Sequence, residues 1–404
     1  MTRYILSPLS LLITCIVWAQ NDYKEISLPD LMKKKQQGDN NMVIVDVRTN
    51  GEFYDSSSRN IQSNIGRIKG AMHIELRDLS QKPAEALKQL EEYKDKEIYL
   101  ICSHSYRSRS ASNILLKNGF THVTNVNGGM TEWFRRYDEL ARYRGAFYET
   151  SNQYKNIAAS QVAKDLADGK KILLIGIYNT PRFFWDSANK KAYEYVPHFK
   201  DAVYFNYEDS LKVLELVQKQ KGRPVVFFTI VNSGAAELAD WLTKKGYPDV
   251  SFMIGGTTYF YEYIMNNELK EKTAKFIDHS NKIEFITSVN LCSKLSIKNY
   301  TTVIDLRHDT IFNKVEDGIK YPYSHLANAK NFFADRGKEE FMKQFPAKQE
   351  DYVLMSQDGI AGLELADALA KEGYKISWLM GGVWRFEWYT INMENFRCNT
   401  LLVK

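Results

Sequence analysis

The run Leu100-Ile101-Cys102-Ser103-His104-Ser105-Tyr106-Arg107-Ser108 decides how the rest of the 404-residue chain is read. Ile98, Tyr99, Leu100 and Ile101 are apolar and favour extended backbone, so they predict a strand that ends at the cysteine. A short polar loop follows. Ala111, Ile114 and Leu115 then recur at helical spacing, and Gly119 predicts the stop. Strand, tight loop and helix N-terminus point successive backbone N–H groups inward and add the positive end of the helix dipole. A cysteine held there is expected to ionise readily and to act as a thiolate nucleophile. Arg107 adds a cation.

Outward from this loop, composition sets bounds. The length suits two or three domains. A hydrophobic content of 44% with 25% charged residues is that of a globular protein. The net charge of +5 is small for this length, with Lys and Arg scattered, and so argues against nucleic acid as a partner. Arg3 precedes an apolar run from Tyr4 to Trp18. Val17-Trp18-Ala19 has small-residue cleavage spacing, and polar Gln20 follows. Residues 1–19 are therefore expected to be a secretory signal peptide, with a lipoprotein signal at Cys15 as the weaker reading. The mature chain is expected to be exported, periplasmic or secreted, with no membrane span. Cys102, Cys292 and Cys398 remain, an odd number for an oxidising compartment. One disulfide between Cys292 and Cys398 would leave Cys102 free; two buried free thiols is the alternative.

The chain repeats itself. Gly119-Phe120 recurs as Gly246-Tyr247 and Gly373-Tyr374, at one constant interval. Gly128-Gly129 recurs as Gly255-Gly256 and Gly381-Gly382. Val43-Ile44-Val45-Asp46-Val47-Arg48 recurs as Thr302-Val303-Ile304-Asp305-Leu306-Arg307, with a degenerate copy at Leu173 to Tyr178. A period this long is a whole domain, not a solenoid unit. The expected units are 20–145, 150–270 and 278–404, joined by polar linkers near 138–156 and 268–283. In each, β-branched strands alternate with helical periods, which predicts a parallel sheet with helices on both faces. Sites in such α/β domains lie at the carboxyl ends of strands, where Cys102 falls.

The first unit resembles the rhodanese (thiosulfate sulfurtransferase) family. The resemblance rests on Asp46-Val47-Arg48 with Glu52-Phe53, Gly66-Arg67-Ile68-Lys69-Gly70-Ala71-Met72-His73-Ile74, the Cys102 loop, Gly119-Phe120, and Gly128-Gly129-Met130-Thr131-Glu132-Trp133. It covers residues 24 to 137 strongly and the other two units through the repeat. It implies three tandem rhodanese-like domains and a sulfur-carrying cysteine. The six-residue Cys102–Arg107 loop has the length typical of sulfur transferases; related phosphatases use one residue more. Family loops usually carry Gly at the fourth loop position, where this chain has Ser105; Asn232 and Gly359 stand there in the other units.

The expected roles follow. Cys102 forms the persulfide. Ser103, His104, Ser105, Tyr106, Arg107 and Ser108 line the substrate site, with Arg107 as anion ligand or loop organiser. Asp46, Arg48 and Glu52 read as a polar network at the strand end, from which Asp46 and Arg48 could support the site. Thr229 and Ser356 take the cysteine position in the other units. Gly234-Ala235 and Ala361-Gly362 replace Arg107-Ser108, and Asp358 would repel an anion, so both units are expected to be non-catalytic. No cofactor is called for, and no residue cluster has metal-ligand spacing. The expected activity is transfer of a sulfane sulfur from a small anionic donor such as thiosulfate to cyanide or a thiol. The alternatives are an envelope scaffold that binds another protein through the second and third units, or a thiol redox protein.

Overall fold

The computed structural model describes residues 23–178, 196–229, 234–265, 269–279, 282–297, 301–313, 325–393, 398 and 401–403. The expected signal peptide and Asn232 lie outside them.

Among the described residues, three five-stranded parallel sheets follow one another along the chain. The first has the spatial order Lys24–Ser27, Val123–Asn127, Glu97–Ile101, Met42–Asp46, Met72–His73. The second repeats that order with Lys155–Ile157, Val250–Met253, Val225–Thr229, Leu173–Tyr178 and Val203–Asn206. The third repeats it with Ile283–Ile286, Lys375–Leu379, Asp351–Met355, Thr301–Asp305 and Lys330–Asn331. The chain is thus three tandem α/β domains of one topology. In the first, Asp46 lies in register with Ile101, which sets the Asp46–Arg48 turn beside the start of the cysteine loop.

Local sequence explains the recurring opening. Ser27 caps the Leu28–Gln36 helix by accepting from the Asp30 N–H, with Pro29 in the first turn. Leu28, Leu31 and Met32 then fall on one face and are buried. The cysteine's own helix, Tyr106–Lys117, buries Ser108, Ala111, Ser112 and Leu115 at the same kind of spacing. Gly119 follows it with φ of +84°.

The stretches read as linkers are structured. Residues Tyr137–Phe147 form a helix that buries Leu140 and Tyr143, and Tyr148–Glu149 pairs antiparallel with Arg67–Ile68. Lys270–Ala274 is a helix, and Ile277–Asp278 pairs with His198–Phe199. These stretches lie between the successive sheets, and their described residues carry helix and strand pairing as well as polar surface.

The domains are packed together. One apolar cluster runs from Leu28, Tyr99 and Trp133 of the first into Leu173, Phe227 and Leu238 of the second. Another joins Val226, Phe228 and Phe260 of the second to Ile304, Leu354 and Trp378 of the third. Each large apolar side chain so buried contributes about 2 kcal/mol. The helices after the glycine pairs also meet. Arg385 forms a buried ion pair with Glu262 and lies 4.3 Å over the Tyr259 ring. Arg135 lies 4.5 Å over Trp388.

Cys292 and Cys398 form a disulfide, with Cα atoms 5.6 Å apart, and Cys102 is a buried free thiol. Denatured, unreduced protein lacking residues 1–19 should therefore titrate one thiol, mapping to Cys102. Closing a loop of 106 residues confers at most about 4 to 5 kcal/mol in the chain-entropy model. Three free thiols in that protein would refute the pairing.

Candidate active site

Cys102 sits directly after the Glu97–Ile101 strand and is 1% exposed, so its sulfur lies at the floor of the loop. The loop is pinned from below. Met130 N–H donates to the Cys102 carbonyl at 2.8 Å, and Thr131 N–H and Oγ1 both donate to the Ser103 carbonyl at 3.2 Å. This contact explains the repeated glycine pair. A Cβ on Gly129 would lie 2.2 Å from the Cys102 carbonyl oxygen. On Gly256 it would lie 2.0 Å from the Thr229 carbonyl oxygen, and on Gly382 2.3 Å from that of Ser356. All three domains bring that turn against the strand end so closely that no side chain fits.

Ser105 adopts φ of +75°, the left-handed conformation that glycine usually supplies. Its buried hydroxyl donates to Val126 O at 3.2 Å and accepts from Gly128 N–H at 2.7 Å. Two hydrogen bonds, each of about 1 kcal/mol, offset a conformational cost of about 1 to 2 kcal/mol. Ser105→Ala keeps the strain and loses both bonds, whereas Ser105→Gly loses the bonds but relieves the strain. Ser105→Ala is expected to lower Tm more than Ser105→Gly; the reverse order would show that the hydroxyl does not hold the loop.

Ser108 is the hydroxyl beside the sulfur, with Oγ 3.5 Å from Cys102 Sγ. The same oxygen lies 3.1 Å from Ser105 O and 2.7 Å from Asn125 Oδ1. Its single proton can serve one of these acceptors at a time, so Ser108 can turn its donor to a charged sulfur and back. Asn125 is held in turn by Asn127, and Asn127 by Glu25.

Arg107 makes two bonds to Glu52, at 2.6 and 2.7 Å, and a third to Ser103 Oγ at 2.8 Å. Ser103 Oγ also donates to Glu52 at 3.1 Å. Arg107 is therefore a clamped loop organiser whose charge is balanced by Glu52. Glu52 was the member of the strand-end network whose contact with the loop sequence reading missed. Its signal was the Thr49-Asn50-Gly51-Glu52 capping box, which folds the carboxylate back over its own helix start. Burial would raise the Glu52 carboxyl, but Arg107 and Thr49 outweigh it and hold the group down at about 2.

Asp46 and Arg48 are both fully buried and form a bidentate pair, and Arg48 also donates to Gly66 O at 2.7 Å. They brace the strand end, and neither is placed against the sulfur by any of these contacts. His104 is exposed on the rim. Desolvation by its neighbours, followed by the cations of Arg107 and Arg385, lowers its imidazole below the ordinary histidine range. Tyr106 is 43% exposed and marks the outer rim.

The other two loops differ in kind. In the third domain the Asp358 carboxylate accepts from Ile360 N–H at 2.9 Å and Ala361 N–H at 3.3 Å, while Gly359 N–H donates to Ser356 Oγ at 3.1 Å. The inward amides of this loop are taken up by the chain's own anion and hydroxyl. By the repeat, the matching amides of the first domain belong to Ser105, Tyr106 and Arg107, around Cys102. In the second domain the Tyr207 ring lies within 2.0 Å of where a Gly234 Cβ would stand, so a side chain there such as Arg107 would have to displace it.

Among the described residues, no group of three His, Cys, Asp or Glu is placed to hold a metal ion. No described helix is long and apolar enough to cross a membrane.

Residues 28–136 match the family model of the rhodanese-like domain. The uncharacterized protein YqhL of Bacillus subtilis is 36% identical over 90 residues, covering 22% of this chain and 59% of the relative. YrkF of the same organism, described as a candidate sulfur carrier protein, is 34% identical over 109 residues, covering 27% of this chain and 50% of the relative. This chain thus spans less than two thirds of either relative. A rhodanese-related protein of known structure from Thermoplasma volcanium is 26% identical, covering 28% of this chain and 93% of that one, with a TM-score of 0.22.

Proposed function

Because residues 28–136 are a rhodanese-like domain, followed by two more domains of the same topology, we propose that this chain is a sulfurtransferase whose sulfur is carried on Cys102. One observation carries the reading. Of three equivalent loops, the first presents a free thiol at the strand end with a hydroxyl donor 3.5 Å from its sulfur. The third has filled its amides with Asp358 and Ser356. The description of YrkF as a candidate sulfur carrier points the same way.

With thiosulfate as donor, the Cys102 thiolate attacks the outer sulfur. A bond forms between Cys102 Sγ and that sulfur, the thiosulfate S–S bond breaks, and sulfite leaves with the electron pair. The terminal sulfur of the persulfide then carries the negative charge. Ser108 Oγ and the loop amides are the groups that stabilise it. Cyanide or an acceptor thiolate attacks the terminal sulfur, and the bonding pair returns to Cys102 as thiolate. The chain is proposed to act after export, on small anionic donors. Intact-mass analysis after incubation with thiosulfate tests the reading. A gain of about 32 Da on Cys102, reversed by cyanide, supports it; no sulfur adduct with any low-molecular-weight sulfane donor would refute it.

A further inference from the structure

We propose that Asn392, on the last helix of the non-catalytic third domain, is a positioning residue for Cys102; this rests on Cys102 being the working nucleophile. The Cys102 loop stands on the Gly128–Thr131 turn, which binds the Cys102 and Ser103 carbonyls. Gly128 heads that turn. Its N–H is shared between Ser105 Oγ at 2.7 Å and Asn392 Oδ1 at 3.1 Å. The third domain therefore completes a three-centre bond inside the support of the first domain's loop.

The contact is a built one. Asn392 is buried, and its Nδ2 donates to Trp388 O at 2.9 Å, which orients the amide so that Oδ1 faces Gly128. Beside it, Arg135 donates to Met393 Sδ at 3.2 Å and stacks on Trp388. Six residues beyond Asn392, Cys398 fastens the tail to Cys292. The same helix carries Arg385, whose charge reaches His104 on the loop's rim. One helix of a domain without a nucleophile thus bears on both the base and the rim of the working loop. Without the Asn392 acceptor, the Gly128 N–H is fixed by Ser105 alone, and the turn that supports the loop loses its anchor to the third domain. The loop amides around Cys102 Sγ then lose their aim.

The test uses the full mature chain and iodoacetamide as a probe, with alkylation of Cys102 followed from neutral to alkaline pH. Asn392→Leu and Asn392→Ala are expected to slow alkylation near neutrality about threefold to tenfold and to move the profile to higher pH, with its alkaline plateau kept. Because Ser105 Oγ and Asn392 Oδ1 share one donor, Asn392→Ala combined with Ser105→Ala should depart from additivity. A profile that superimposes on wild type, whatever the fall in Tm, overturns the proposal, as does strict additivity. Alkylation needs no sulfur donor. No sulfur uptake would refute the proposed function, whereas an unshifted profile in a protein that does take up sulfur would refute this inference alone.

Discussion

Cys102→Ser is expected to lower thiocyanate formation from thiosulfate and cyanide by about a thousandfold or more, to the uncatalysed background. The hydroxyl is a poor nucleophile without an adjacent base, and among the described residues none is hydrogen-bonded to it as a base. An alkoxide could not yield a persulfide in any case. Thr229→Ala and Ser356→Ala remove the hydroxyls at the matching positions, far from the Cys102 loop in sequence and in domain, and should change turnover less than about twofold. Substantial turnover by Cys102→Ser would place the nucleophile elsewhere. A large loss in Ser356→Ala would give the third loop a chemical role that its Asp358-filled amides argue against.

Arg107→Ala and Glu52→Gln are expected to act in opposite directions on the sulfur. Arg107→Ala leaves the buried Glu52 carboxylate without its cation. Breaking a buried pair from one side costs about 3 to 5 kcal/mol, reduced here to about 2 because Arg107 is one third exposed. The stranded negative charge disfavours a thiolate in the same loop, so Cys102 alkylation should slow about tenfold near neutrality. Glu52→Gln keeps the shape and frees the Arg107 charge, so alkylation should quicken while Tm falls. The same sign from both variants would show that loop order, and not charge, sets reactivity. Acid titration supplies an independent check. Glu52 is held at about 2, below its ordinary 4.5. Its contribution to stability is full above 4.5 and disappears as pH falls through about 2. The Arg107 clamp should therefore survive in wild type at pH values where free carboxylates have protonated. Loss of the clamp at pH 4, read by proteolysis of the loop, would contradict the pairing.

Much of the molecule was legible in order along the chain. Strand periodicity, the threefold repeat and the placing of Cys102 at a strand end are local or near-local signals, and backbone sterics and apolar burial turn them directly into structure. The resemblance in 24–137 and the family match in 28–136 cover the same domain. Composition marked 138–156 and 268–283 as polar but did not show their helices, because buried Leu140 and Tyr143 depend on a surface that another segment provides. Ser105 looked like a departure. Its two hydrogen bonds reach Val126 and Gly128, more than twenty residues away, and no local rule shows them.

By itself the sequence determined where the proposed chemistry would reside: one thiol in a loop that opens a helix, two loops without it, and three copies of one α/β domain. Those properties reside in residue type and short spacing. Only the tertiary structure decided the electrostatics and the bracing. Glu52 reaches Arg107 across 55 residues, and Asn392 reaches Gly128 across 264. Such pairs form because sheet order and domain packing bring distant elements together. A hydrogen bond extends about 3 Å, a distance that separation along the chain does not encode.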